Sequence, residues 1–586
     1  MSGKAIPIGI SNFETMILEN YLYVDKTRYI EVLENTKSKA QVFLRPRRFG
    51  KSLFLSMLSN YYDINKKEEF NSLFKDLYIG KKPTALKNSY IIWNIAFSGL
   101  NTLDRNYLFT SFSNNIIMSV RSVFNNYSNL FDSEKIIDEL KNTTDIKKAV
   151  SILFDQARNR KKKIYVLIDE YDHFANDLIA MDDGITYREV VHANGFVRDF
   201  YEVLKEGTTT VVDRIFMTGV SPVMLDDMTS GFNIAVNITL EEEFNSMLGF
   251  TEEEMDYILD NCNFIEGYTR NELKNFLKAN YNGYLFNKHA KCKVYNSNML
   301  LNFLGTWQRT KRFPEDILDP NVNMDRARIL MLAKNENNRK MLEDILFNER
   351  IMGKVEPKFS FEFMYKDEYF VSLLFYLGML TIDVDEFGFE YLIIPNYVSK
   401  VIYWDYMKLK LTDEYNINVK MHDLTMAIAN MAIKGDISGF INYVSREILS
   451  KISNRDLIKF DEKNIKLLLM AYVIQTGIYR AVSERECEEG YIDLIFERHE
   501  GYKHLKYDWM IEIKYLKESE RAKAQETLQK AKKQLEKYAL ESEYSGHSTY
   551  RYSSGNVAKA VKQDGCLKLV VVVFIGKKDY IVEELW

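Results

Sequence analysis

Asp493, Glu512 and Lys514 have the residue types and spacing for metal-assisted phosphodiester chemistry. Gly490-Tyr491-Ile492-Asp493-Leu494-Ile495-Phe496 and Trp509-Met510-Ile511-Glu512-Ile513-Lys514-Tyr515 read as two apolar strands separated by a polar loop. Residues two apart on a strand share a face, so Glu512 and Lys514 project together. If the runs form a hairpin, Asp493 lies beside Glu512. The two carboxylates then suit Mg²⁺ or Mn²⁺, and Lys514 can orient or activate a water aimed at phosphorus. A Glu-x-Lys tripeptide alone is common on exposed strands, and the upstream Gly-x-x-Asp and apolar surroundings give this one its weight. Further on, Gln534 and Tyr538 fall one helical turn apart near Lys530, Lys532, Lys533 and Lys537, a face suited to phosphate contact or simply to solvent.

A second set, far away in the chain, suits a nucleotide. Gln41-Val42-Phe43-Leu44 is β-rich, and a helical pattern starts at Ser52; between them runs Arg45-Pro46-Arg47-Arg48-Phe49-Gly50-Lys51. A strand, a tight loop and a helix N-terminus make a phosphate cradle, because unpaired first-turn N–H groups point at the anion. Lys51 would reach the β/γ-phosphates of ATP and Ser52 would take Mg²⁺. Arg45 stands where such a loop normally has its first Gly. The apolar run Ile164 to Ile168 reads as a buried parallel strand delivering Asp169 and Glu170, a pair suited to Mg²⁺ coordination and water activation. A third strand ends at Thr218-Gly219-Val220-Ser221-Pro222, which can bring the Thr218 hydroxyl beside the γ-phosphate.

The elements that carry these residues need several cores. A chain of 586 residues is too long for one, and length alone favours about three domains. Residues 370–378 read as a helix with a Gly stop, followed by two strand-like runs joined at Asp385-Glu386-Phe387-Gly388, a winged-helix pattern whose acidic wing favours clamping over DNA contact. With a net charge of −5, any nucleic-acid contact must be a local patch. The four Cys lack paired spacing and fit a reduced, cytoplasmic protein. Neither a signal peptide nor a membrane span is expected: the most apolar short run, Leu567 to Ile575, is half the needed length and reads as a core strand.

Beyond these readings, the chain resembles the AAA-ATPase-like family of bacterial and archaeal proteins that carry a C-terminal PD-(D/E)XK nuclease-like domain. The resemblance rests on Tyr23-Val24-Asp25-Lys26-Thr27, the Arg45–Ser52 loop, Leu167-Ile168-Asp169-Glu170-Tyr171-Asp172, Thr218 to Pro222, Ser230 to Ile234, Tyr281-Asn282-Gly283-Tyr284, Ser483-Glu484-Arg485-Glu486, Gly490 to Asp493, Ile511 to Lys517, and Gln534 with Tyr538. In that family the loop's leading Arg is usual. The resemblance implies an α/β architecture: an AAA-type ATPase domain (1–285), a helical lid with a winged-helix-like region (286–410), and a restriction-endonuclease-like domain (411–586). It implies Asp493 and Glu512 as metal ligands and Lys514 as the catalytic lysine. Glu486 or Glu462 would supply a further acid, with Glu486 preferred.

The expected activity is ATP-controlled, Mg²⁺-dependent hydrolysis of nucleic acid, DNA before RNA. A nucleotide-switched interaction protein that grips without cutting is the alternative, and a plain ATPase remodeller a third. AAA-type sites often borrow an arginine from a neighbouring subunit, so a homo-oligomer is also expected, although the sequence does not single out that arginine.

Overall fold

The computed structural model describes residues 4–585 apart from 103, 181–183, 192–194, 228–230, 263–268, 315–316, 319–328, 330, 334, 365, 416–418, 453–460, 488–489, 500–501, 503 and 542–565. Cα proximity divides the chain into two compact units. The first comprises Met1–Glu266, Tyr281–Arg312 and Met331–Asn396, and the second Gly267–Asn280, Phe313–Leu330 and Tyr397–Trp586. Most of residues 286–410 falls in the first unit.

The first unit is built on five parallel strands, β1 (Ala40–Leu44), β2 (Tyr90–Ala96), β3 (Lys163–Asp169), β4 (Val212–Gly219) and β5 (Ala235–Asn237), in the order β2-β3-β4-β1-β5. β1 is buried along its whole length and β3 from Ile164 to Ile168, as expected of parallel strands covered on both faces by crossover helices. The register pairs Phe43 with Thr218, Leu44 with Gly219 and Ala96 with Asp169. The C-terminal ends of β1, β3 and β4 therefore gather at one edge of the sheet, where ligands of open α/β sheets bind.

In the same unit, the helix Asp367–Tyr376 precedes the hairpin β7 (Thr381–Val384) and β8 (Glu390–Ile393), and β6 (Arg350–Met352) pairs with the free edge of β8. The expected helix-plus-hairpin pattern is thus present, with an added strand. Asp385 Oδ1 shapes the tip by accepting from the backbone N–H groups of Phe387 and Phe389. Two contacts tie this region to residues 283–285 of the same unit. Leu285 N donates to Thr381 Oγ1 at 2.6 Å. At Gly283, φ is +111° and an added Cβ would lie 1.9 Å from Pro395 O. Both the backbone angle and the space exclude a side chain there. Gly283→Ala is therefore expected to cost about 3 kcal/mol or more of stability, read by urea unfolding; a loss under about 1 kcal/mol would contradict this account.

The second unit holds β9 (Tyr479–Cys487), β10 (Gly490–Arg498), β11 (Asp508–Leu516), β12 (Leu567–Ile575) and β13 (Asp579–Glu584), ordered β13-β12-β11-β10-β9. The pair β11/β12 is parallel and the rest antiparallel. A parallel pair needs a crossover, and the helix Ala524–Glu541 lies in that connection. Its Leu528, Ala531 and Leu535 join Met510, Leu569, Val571 and Val573 in one apolar cluster. A second helix, Glu462–Gln475, is buried from Ile465 to Ile474. It starts at Asp461, whose side chain accepts from Asn464 N.

Candidate nucleotide-binding and nuclease sites

The loop after β1 is shaped by buried groups. Gly50, at φ +92°, precedes the helix Lys51–Tyr62 in the left-handed conformation, so its close turn requires glycine. Phe49 is buried edge-on against Tyr284 and Phe286. Asn298 N donates to Arg48 O at 3.0 Å, and Asn296 Nδ2 to Arg47 O at 3.4 Å, so the start of the helix Ser297–Thr310 braces the loop from outside. Pro46 packs against Gly378, where an added Cβ would lie 2.8 Å from the proline ring.

Within this frame Lys51 is 8% exposed and donates to Arg45 O and Pro46 O, each at 2.9 Å. Burial pushes its pKa down to about 8, against the pull of Asp169, Asp172 and Glu170. A buried ammonium held only by two loop carbonyls is suited to an incoming phosphate. Ser52 Oγ donates to Asp169 Oδ2 at 2.6 Å, and Thr218 Oγ1 to Asp169 Oδ1 at 2.7 Å. Three candidates, one from a helix N-terminus and two from strand ends, thus meet at one carboxylate. Glu170 follows with φ +51°, an angle uncommon outside glycine, and its side chain remains partly exposed.

Arg45 is elsewhere. Its guanidinium is fully buried and donates to Leu44 O (2.8 Å), Thr239 O (2.9 Å) and Phe244 O (2.8 Å), stacked over Phe43 and Phe286. Its side chain therefore ties the loop to the core instead of facing a nucleotide; only its carbonyl meets Lys51. Asp172 is a buried anchor not singled out from the sequence. It accepts from Ser221 N at 2.6 Å, Val220 N at 3.1 Å and Asn176 Nδ2 at 2.6 Å, which fixes the loop that follows the strand of Thr218. Its signal was the third acid following Asp169-Glu170 in the same short segment.

In the second unit, the β10/β11 register ends at Leu494 with Ile511, next to Asp493 and Glu512 in their strands, and the Asp493 charge acts on Glu512. Asp493 Oδ2 accepts from Ile513 N at 2.8 Å. Lys514 Nζ stands among three acids, 2.9 Å from Glu512 Oε1, 3.4 Å from Asp493 Oδ2 and 3.4 Å from Glu462 Oε1. Glu462 comes from the first turn of its helix, where a carboxylate is favoured by the helix dipole. Glu486 pairs with Tyr491 by register, but its side chain lies outside the described residues. Among described side chains, Glu462 is thus the further acid that joins the cluster. Gln534 donates to Tyr538 Oη at 2.9 Å on the crossover helix.

Glu512 is the most informative member. It has no exposed surface, and neither carboxylate oxygen takes part in a hydrogen bond of regular geometry despite the close Lys514 ammonium. Burial first, then the Asp493 charge, pushes its pKa up to about 7. Burial opposes the charge on Lys514, but Asp493, Glu512 and Glu462 outweigh it and raise that pKa. Among the described residues no trio of His, Cys, Asp or Glu is gathered as a metal-binding group, and the middle of the acid cluster is held by the Lys514 ammonium. The donor set nevertheless fits a divalent ion: hard carboxylate oxygens, two of them buried and without a regular hydrogen bond, lie beside a second carboxylate.

This arrangement has a pH consequence. Folded Glu512 keeps its proton up to about 7, so the metal-free protein loses stability as pH rises from the ordinary glutamate range to that value. A cation bound by Glu512 would displace the proton. Mn²⁺ binding should therefore strengthen by up to about tenfold per pH unit below the Glu512 pKa and level off above it. Titration calorimetry across that range tests this, and a flat profile would contradict it.

Comparison with known proteins matches two segments of the chain. Residues 7–229 match the family model described as "Predicted AAA-ATPase", and residues 460–584 match the PD-(D/E)XK nuclease superfamily model. A curated relative, "Uncharacterized protein in vnfD 5'region" from Azotobacter chroococcum mcd 1, is 28% identical over 325 residues, or 51% of this chain and 52% of that protein. The chain thus spans about half the length of this relative. Two solved structures from Aeropyrum pernix are similar at low identity. The ORC2 protein in ADPNP-ADP complexes is 10% identical, with 66% of this chain and 92% of that chain covered and a TM-score of 0.31. The ORC1 protein in complex with DNA is 9% identical, with 68% and 93% covered and a TM-score of 0.27. The fold assignment rests on the strand orders and the two family models. No helix among the described residues is long and apolar enough to cross a membrane. The chain joins an AAA-ATPase-like domain to a C-terminal domain of the PD-(D/E)XK nuclease superfamily.

Proposed function

We propose that the protein is an ATP-controlled, metal-dependent nuclease that hydrolyses phosphodiester bonds in DNA. The observation that carries the reading is Glu512: a fully buried carboxylate without a regular hydrogen bond on either oxygen, beside Asp493 and Lys514, in a domain of a nuclease superfamily. Such a group is costly unless a ligand completes it. Asp493 and Glu512 would hold Mg²⁺ or Mn²⁺, with Glu462 or Glu486 as the further acid. When bound, the ion would supply Lewis-acid polarisation of the phosphate and a more acidic water.

The chain's own residues have distinct tasks. Lys514 orients the attacking water and offsets negative charge that grows on the phosphoryl oxygens. Water adds to phosphorus, the bond to the leaving oxygen breaks, and that oxygen departs protonated as the hydroxyl end. At the nucleotide site, Lys51 binds the β/γ-phosphates of ATP, Ser52 and Asp169 are suited to Mg²⁺, Glu170 to activating water, and Thr218 to sensing the γ-phosphate through its bond to Asp169. Arg47, Arg48 and Gly50 complete the cradle. Cytoplasmic action and a homo-oligomer that shares an arginine between subunits belong to the same reading.

The competing reading is a nucleotide-switched module that grips nucleic acid or a partner without cutting. The observation in its favour is that both oxygens of Asp493 are already met by protein donors. Plasmid, single-stranded DNA and RNA incubated with Mg²⁺ or Mn²⁺, with and without ATP, separate the two readings. Cutting that disappears in Glu512→Ala supports the nuclease; binding without cutting by the parent protein favours the module.

A further inference from the structure

Lys466 interrupts an otherwise apolar run, Ile465 to Ile474, and is itself buried, with its side chain 10% exposed. Burying an ammonium is costly unless it is paired. Its partners are members of the acid cluster: Nζ lies 2.5 Å from Asp493 Oδ1 and 3.4 Å from Glu462 Oε1. The other oxygen of Asp493 is met by Ile513 N and faces Lys514. Asp493 is therefore met by protein donors on both oxygens, whereas neighbouring Glu512 has no regular hydrogen bond on either. A cation shared by these two acids would draw on Oδ1 of Asp493, the oxygen that Lys466 already contacts.

We infer that Lys466 is a positioning residue that serves as the counter-ion of Asp493 in the metal-free protein and competes with a divalent cation for Oδ1, thereby setting the metal requirement of the site. The inference rests on the metal-dependent reading of the acid cluster and deepens it. Lys514 touches all three acids and is suited to the water and the phosphate. Lys466 reaches the cluster from the helix side and holds the oxygen that Lys514 does not. The long flexible stem of a lysine lets its ammonium withdraw without moving the helix.

The test uses the full chain, with Mn²⁺ titrated by calorimetry and melting temperature measured with and without Mn²⁺. Lys466→Met should bind Mn²⁺ more tightly by about tenfold or more, because a positive charge within contact distance of a ligand has been removed. Its melting temperature should also gain more from Mn²⁺ than the parent's. Lys466→Arg, which keeps the charge, should stay near the parent. A folded Lys466→Met with unchanged or weaker Mn²⁺ affinity overturns the inference and leaves the metal reading standing. Glu512→Gln tests that reading separately: if Mn²⁺ affinity is the same in parent and Glu512→Gln, the metal reading fails and the inference with it. Should Lys466→Met not fold, Lys466→Gln keeps a polar donor without charge and is judged by the same two outcomes.

Discussion

Lys514→Ala should lower DNA cleavage by about 10²- to 10⁴-fold while leaving ATP binding unchanged. Its ammonium lies within 3.4 Å of Glu462, Asp493 and Glu512. Removing it takes away the cation proposed to face the phosphate and leaves Lys466 paired with Glu462 and Asp493. Loss of a neighbouring positive charge favours cation binding by the acids, so the defect should persist at saturating metal, because what is missing is the lysine itself. Single-turnover cleavage at saturating Mn²⁺ reads the chemical step apart from release. A variant that cuts at the parental rate would remove Lys514 from the mechanism. Because the substitution lies in the second unit, unchanged nucleotide affinity serves as the control for folding of the first.

Lys51→Ala should weaken ATP binding by about two orders of magnitude, since one charge-assisted contact to a triphosphate in a desolvated loop is lost. The buried ammonium is held by the carbonyls of Arg45 and Pro46, so its removal also leaves those two acceptors unpaired, at about 1–3 kcal/mol of stability. A fluorescent ATP analogue measures the affinity, and thermal melting without nucleotide measures the structural cost. If ATP governs cutting, the variant should cleave DNA at one rate with or without ATP. Parental affinity in Lys51→Ala would mean that the phosphates bind elsewhere.

Much of the architecture was legible because it depends on local pattern. Continuous apolar runs such as Ile164 to Ile168 mark buried parallel strands whatever surrounds them, and Gly50-Lys51-Ser52 at the start of a helix marks an N-terminus. The helix and hairpin at 367–393 were equally readable from a Gly stop and a polar turn. Which segments share a compact unit was not. Where a hairpin packs depends on contacts such as Leu285 with Thr381, which leave no periodic trace in the chain.

The sequence by itself determined which residue sets the chain carries: a Gly-Lys-Ser loop at a helix start with an acid-tipped strand, and an acid–acid–lysine set on two strands. Only the tertiary structure decided that Arg45 faces the core, that Asp172 anchors the loop after Thr218, and that Glu462 and Lys466 join the acid cluster. The physical reason is range. Strand pairing and helix capping are set by neighbours along the chain, whereas the partner of a buried charge is chosen by desolvation among groups brought together from distant segments.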